Sequence, residues 1–252
     1  MPVIDIHTHM LTLEWIELLR AHGAKYSVKK TPGNQDAVHL YDAPFMTLMP
    51  GMWDYAMRIK NMDQAGVDIA VVSLTCPNVF WGGREVSLSA ARIANDSMWE
   101  QQRANPDRIR WFASLPWQYE IDARAELARC IKNGAVDRYR NLKLIAAHGG
   151  AALPYLAGRF DICHEKIPAC SAVIKDKPSS YLKRIYYDTV VYEQAALDLC
   201  IKVAGSTENV LYGSDYPHNI GDMAGCLARV NSLPSRQAKQ IAGKNAERIF
   251  KL

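Results

Sequence analysis

Three places in this 252-residue chain put chemically capable side chains where an apolar strand should end. The first is Asp5-Ile6-His7-Thr8-His9. Residues i and i+2 of a strand share a face, so His7 and His9 present two imidazoles to one site. Two neutral imidazoles at that spacing suit one divalent metal ion, zinc above all, through nitrogen bonds of about 2.0–2.1 Å. The bland alternative is a surface pair satisfied by backbone hydrogen bonds; the end of a buried first strand favours the metal. The second place is Ala146-Ala147-His148-Gly149-Gly150, where His148 leaves a strand and the glycines allow close approach of backbone or ligand. His148 is read as catalytic. The third is Gly213-Ser214-Asp215-Tyr216-Pro217-His218. Asp215 at a strand terminus can be a metal ligand, a general base or both, against the plain reading of a turn aspartate bonded to its own backbone. His218 is placed as a substrate contact or a support for Asp215, with a helix-entry role as the alternative.

These residues need strands to aim them. Short β-branched runs alternate with longer amphipathic stretches, the pattern of βα units around a parallel sheet. Six runs read as strands: Val3 to Ile6, Ile69 to Leu74, Ile109 to Leu115, Lys143 to Ala147, Ile185 to Val191 and Val210 to Tyr212. Helical patterns cover Leu13 to Ala21, Trp53 to Gln64, Leu88 to Arg103, Ala123 to Lys132, Gln194 to Val203, Met223 to Val230 and Arg236 to Phe250, with Asn133-Gly134 and Gly205 as stops. Residues 23–50 carry Pro32-Gly33, Asn34 and Pro44 with weak periodicity and read as a long functional loop over one end of the sheet. Trp53, Phe80, Trp81 and Trp117 are candidates to line an aromatic-accepting pocket, Trp53 and Trp81 foremost.

Composition narrows the class. With 49% apolar and 22% charged residues, one domain spanning residues 1–252 is expected and disorder is not. The 30 Lys plus Arg against 26 Asp plus Glu are scattered rather than striped, which argues against nucleic acid as a partner. The six cysteines form no CxxC pair and suggest a reducing compartment. The N-terminus enters a strand at once with no cationic leader, and no apolar stretch reaches the ~20 residues of a membrane helix. A cytoplasmic protein with no membrane partner is expected.

The ordered set of motifs resembles the amidohydrolase-related metalloenzymes that include aminocarboxymuconate-semialdehyde decarboxylase and the resorcylate decarboxylases. It comprises Asp5 to His9, Met62-Asp63-Gln64-Ala65-Gly66-Val67, Leu142-Lys143 through His148-Gly149-Gly150, and Gly213 to Pro217. The resemblance spans nearly the whole chain. It implies a TIM-type (β/α)8 barrel with its site at the C-terminal mouth, and a divalent metal, usually zinc, held by His7, His9 and Asp215. It also implies a catalytic His148 and a homodimer.

Two departures stand beside it. Gly134-Ala135 runs directly into Val136 to Tyr139, so strands four and five of the barrel are expected to be absent, with the junction at about 134–137. The strand-five histidine that the family uses as a further ligand goes with them. His22, His39 and His164 read as solvated surface positions and offer no obvious replacement. The outermost strands of a six-strand remnant would have unpaired edges, which invite pairing with another chain. Further, Phe45-Met46-Thr47-Leu48-Met49 lacks the arginine that the resemblance leads one to expect near a substrate carboxylate.

The expected activity is metal-dependent, non-oxidative decarboxylation of an aromatic or unsaturated small-molecule carboxylic acid. The alternatives are metal-dependent hydrolysis of an ester, lactone or amide, and a non-catalytic degenerate barrel.

Overall fold

The computed structural model describes residues 1–132, 143–172 and 174–252, so the junction expected at 134–137 lies outside the described residues. The chain opens with β1 (Ile4–Met10) and α1 (Leu13–His22), whose start is capped by the Thr12 side chain accepting from Trp15 N. Three strands follow, β2 (Tyr26–Lys30), β3 (Asp36–Leu40) and β4 (Ala43–Thr47), paired as an antiparallel meander. Residues 23–50 are therefore a small sheet and not the loop their weak periodicity suggests. The mid-strand Pro44 sits in an outer strand of this sheet, where a missing N–H is tolerated. The central strand buries His39, which sequence places on the surface.

Next come α2 (Tyr55–Ala65), β5 (Ile69–Leu74), α3 (Gly83–Ala104), β6 (Ile109–Trp111) and α4 (Glu120–Lys132). After the undescribed stretch the chain resumes with β7 (Ile145–Ala146), α5 (Leu153–Lys166), the short α6 (Pro168–Ser171) and α7 (Pro178–Leu182), then β8 (Tyr186–Asp188) and α8 (Gln194–Ala204). It ends with β9 (Val210–Leu211), α9 (Met223–Asn231), α10 (Ser235–Lys239) and α11 (Asn245–Phe250). The last two are joined by a π-helical turn, Gln240–Lys244. Sequence periodicity predicts no helix over α5, because Pro154 and Gly158 interrupt the pattern; Pro154 in fact stands in the first turn, where proline is preorganised for a helix.

All six strands expected from the β-branched runs are present. Strands β6, β5 and β1 form one parallel sheet and β7, β8 and β9 another. The two are stitched together where the chain leaves β9. Ile6 N donates to Tyr212 O at 3.0 Å, Asp215 N to His7 O at 2.8 Å, and Thr8 and Tyr216 form a parallel bridge. The result is one parallel arc in the order β6-β5-β1-β9-β8-β7. Among the described residues, nothing pairs with the outer edge of β6 or of β7. The apolar positions of the strands pack against the helices; Met10, Val72, Trp111, Tyr187 and Val210 share one core with Trp15, Met98 and Leu197.

Candidate metal centre and active site

Every chemically loaded residue singled out at a strand end converges on the C-terminal side of the arc. His7 Nε2 lies 3.0 Å from His9 Nε2 and 3.4 Å from Asp215 Oδ1, and His9 Nε2 lies 3.1 Å from the same oxygen. Three donors in a triangle of that size cannot all be paired by protons. A divalent ion bonded at about 2.0–2.2 Å, however, separates neighbouring ligands by roughly this distance. The donor set, two imidazoles and one carboxylate, fits a divalent transition metal.

The protonation states suit the same use. Burial drives the pKa of His9 down to about 4, so it is a neutral imidazole. Burial also opposes charge on Asp215, but the His9 hydrogen bond and the fields of His9, His218 and His7 outweigh it and hold the carboxyl below its ordinary value. For His7, burial again works against the charge, and the hydrogen bond and charge of Asp188 more than compensate, raising its pKa. Below that raised pKa, an incoming ion displaces a proton from His7.

Asp188, at the end of β8, is a residue that sequence reasoning missed. Its Oδ2 accepts from His7 Nδ1 at 2.7 Å and from His148 N at 3.0 Å; its Oδ1 accepts from Gly149 N and Val190 N, both at 3.0 Å. One carboxylate thus orients the His7 ring with Nε2 facing the site and ties the ends of β1, β7 and β8 together. The same strand-terminus rule that selects Asp215 would have found it. Gly213 is required close by, because a Cβ there would stand 2.7 Å from His7 Cβ.

Other hidden supports are Arg58 and the Asp5–Ser214 pair. Arg58, fully buried, donates to Thr8 Oγ1 at 2.7 Å, to His9 O and to Gly51 O at 3.2 Å, with its guanidinium over the Tyr55 and Tyr216 rings. Asp5 accepts from Ser214 Oγ and from the backbone of His7, and burial pushes its pKa up to about 7.

His148 stacks on His7 with ring centroids 5.0 Å apart, and its side chain reaches the cavity. Both His148 and Asp215 adopt left-handed backbone conformations, φ +56° and +61°. For residues with a Cβ this costs on the order of 1–3 kcal/mol each, a strain that the surrounding hydrogen bonds must hold. His218 packs edge-on against His9, and its Nε2 lies 2.9 Å from Thr75 Oγ1.

These groups form the floor of a cavity of about 550 Å³. Its walls include Phe45, Met46 and Thr47 of β4, together with Leu74, Thr75 and Ile220. Of the residues expected to touch substrate, His218 lines this cavity. Trp53 and Trp81 do not: both pack in the core, with Trp81 edge-on to Trp15 and its indole N–H bonded to Asn78 O. Phe80 and Trp117 are also outside the lining and partly exposed. His22 is exposed, and His164 is turned to Ile174 O, away from the centre.

A strand-end His-x-His, an aspartate after the last strand and a histidine after β7 thus meet on a parallel α/β frame as a candidate site for a divalent ion. The profile described as Amidohydrolase matches residues 131–252. Curated proteins similar to it over most of the chain are decarboxylases. It is 23% identical to 2-amino-3-carboxymuconate-6-semialdehyde decarboxylase of Dictyostelium discoideum, over 96% of this chain and 90% of the relative. With gamma-resorcylate decarboxylase of Polaromonas sp. it shares 25% identity over 77% of this chain and 86% of the relative. Among solved structures, Metarhizium anisopliae IDCase in apo form superposes with a TM-score of 0.82 at 19% identity, covering 99% of this chain and 97% of that one. The dihydroxybenzoic acid decarboxylase of Polaromonas sp., with bound manganese and the inhibitor 2-nitroresorcinol, gives 0.75 at 20% identity, covering 100% and 97%. The fold of those enzymes is the fold of this chain.

Proposed function

We propose that this protein is a metal-dependent, non-oxidative decarboxylase of an aromatic or unsaturated carboxylic acid. The observation that carries the reading is the triangle of His7 Nε2, His9 Nε2 and Asp215 Oδ1 at the floor of a largely apolar cavity, with His148 beside it. That both curated relatives and the Polaromonas structure named above are decarboxylases supports the choice of reaction over hydrolysis.

His7, His9 and Asp215 would hold the ion, which supplies Lewis-acid polarisation to the substrate's carboxylate side. Zinc suits the donor set, and the manganese in the Polaromonas structure makes that metal the second candidate. Decarboxylation leaves an electron pair on carbon, which must take up a proton. His148 is the group to deliver it, because a ring nitrogen of His148 lies within 4.8 Å of both the His7 nitrogen and the Asp215 carboxylate. The apolar walls from Phe45, Met46 and Leu74 keep the carboxylate poorly solvated, so charge loss on forming carbon dioxide is favoured.

The frame reads as a (β/α)8 barrel lacking its fourth and fifth units, between β6 and β7. The Dictyostelium alignment supports this: it runs over 324 positions, whereas 96% of 252 residues is about 242, so the remainder are internal gaps in this chain. The unpaired outer edges of β6 and β7 support assembly as a homodimer. Six free cysteines support a reducing, cytoplasmic setting, and no described helix is long and apolar enough to cross a membrane.

The test is carbon dioxide release and arene formation from a panel of hydroxybenzoates, run beside lactone hydrolysis, with zinc- or manganese-loaded protein. Decarboxylation abolished by Asp215→Asn is the expected result. Undiminished activity in that variant, or turnover of lactones alone, overturns the proposal.

A further inference from the structure

The resemblance implies a further histidine ligand on strand five, and the structure contains another histidine that can take its place beside His7, His9 and Asp215. We propose that His218 is the fourth protein ligand of the metal centre; the inference rests on the metal-dependent reading above.

The first ground is position. A ring nitrogen of His218, a ring nitrogen of His9 and a carboxylate oxygen of Asp215 all lie within 4.8 Å of one another. At bonds of about 2.1 Å, ligands on opposite sides of an ion stand about 4.2 Å apart and neighbouring ones about 3 Å, so a shift of well under 2 Å brings the group to coordination distances. The turn that carries His218 is closed on Asp215 itself, since His218 N donates to Asp215 O at 3.1 Å. Ligand and candidate ligand therefore ride on one short rigid segment.

The second ground separates His218 from His148, the other histidine at the centre. Metal-bound imidazoles have their second nitrogen held by a hydrogen bond, which fixes ring and tautomer. His7 Nδ1 is held by Asp188 at 2.7 Å. His9 Nδ1 faces Ser73 Oγ at a longer 3.4 Å. His218 Nε2 is held by Thr75 Oγ1 at 2.9 Å, so Nδ1 is the nitrogen it would offer to the ion. Among the described residues, the His148 side chain has no such partner, and its ring faces the cavity. Three rings are braced as ligands are braced, and one is free as a proton carrier must be. The loss of one ligand from β7's missing neighbour is thereby made good from the β9 side, by a residue three positions after Asp215.

The experiment is titration of metal-free protein with Co²⁺, read by its visible ligand-field absorption and by stoichiometry, for wild type, His218→Gln and His148→Gln. Circular dichroism serves as the fold check. The expected result is one ion per chain in wild type, binding weakened about tenfold or more with an altered absorption band in His218→Gln, and the wild-type spectrum in His148→Gln. Thr75→Val, which touches no ligand atom, should weaken binding several-fold, and it decides the matter if His218→Gln does not fold. Unchanged affinity and spectrum in His218→Gln overturns the proposal and leaves a three-ligand decarboxylase site standing. Spectral loss in His148→Gln instead, or two ions per chain, also overturns it. Absence of any binding by folded wild type overturns the metal-dependent reading itself.

Discussion

Replacing Asp188 by asparagine is the sharpest perturbation of the centre that leaves every proposed ligand and the cavity wall in place. The carboxylate accepts four N–H groups, two on each oxygen. An amide can accept on one side only, so two of the four lose their acceptor whichever way the side chain turns. If the amide oxygen keeps Gly149 N and Val190 N, its NH₂ faces His7 Nδ1 and His148 N. His7 must then accept at Nδ1 and carry its proton on Nε2, the nitrogen needed for the ion. Loss of a ligand-orienting partner typically weakens metal binding about 10–100-fold, equivalent to about 1.4–2.8 kcal/mol. If instead the oxygen keeps the His7 side, Gly149 N and Val190 N are orphaned, at about 1–3 kcal/mol each in stability. The two costs exclude each other in full strength, so metal affinity and urea-induced unfolding of the metal-free variant must be measured together. At least one should fall by the stated amount. An Asp188→Asn protein that binds zinc as wild type does and unfolds at the same urea concentration would refute the role assigned to this carboxylate.

Three further outcomes are expected. At pH 6, metal uptake should release one proton per ion. His7, with its raised pKa, supplies it, whereas His9, pushed down to about 4, is already neutral and Asp215 already ionised. Affinity should therefore rise about tenfold per pH unit below the His7 pKa and level off above it; calorimetry in buffers of different ionisation enthalpy checks this, and release of two protons contradicts it. Arg58→Met removes three hydrogen bonds that fix Thr8, His9 and Gly51. It should cost about 3 kcal/mol and lower the melting temperature by roughly 6–12 °C, read by calorimetry. Finally, the described cavity wall contains no lysine or arginine. Monocarboxylates should be turned over in preference to dicarboxylates, and Met46→Arg should raise kcat/KM for a dicarboxylate by about tenfold or more, the worth of a charge-assisted hydrogen bond.

Most of the frame could be read from residue order. A parallel strand buried on both faces must be β-branched and apolar, so the six runs stood out and each became a strand. The histidines and Asp215 stood out for the same reason, as polar groups at the ends of runs that exclude them elsewhere. What escaped was set by tertiary context. The β2–β4 sheet is too short and too interrupted by Pro32-Gly33 and Pro44 to show a period. The α5 helix exposes Tyr155 and Ile162, which blurs its amphipathic stripe. His39 was misplaced because its burial depends on two flanking strands that were themselves unread. Trp53 and Trp81 are large apolar groups whose side of the wall, core or cavity, no spacing rule decides. Asp188 is less legible because it sits inside the β-branched run from Ile185 to Val191 with no glycine beside it to mark a strand end.

The order of the arc has a consequence for where a parallel α/β frame of this kind tolerates a change of length. Its middle is the seam between β1 and β9, which carries His7, His9, Asp215 and His218, and among the described residues its outermost strands are β6 and β7. A ring cut opposite its seam keeps the working face as a continuous run of neighbours, whereas a cut anywhere near β1 would part the two halves of the site. The side of the frame opposite the seam is thus where length can change while the fewest reacting groups are disturbed, and one seam holds the long-range geometry of the centre.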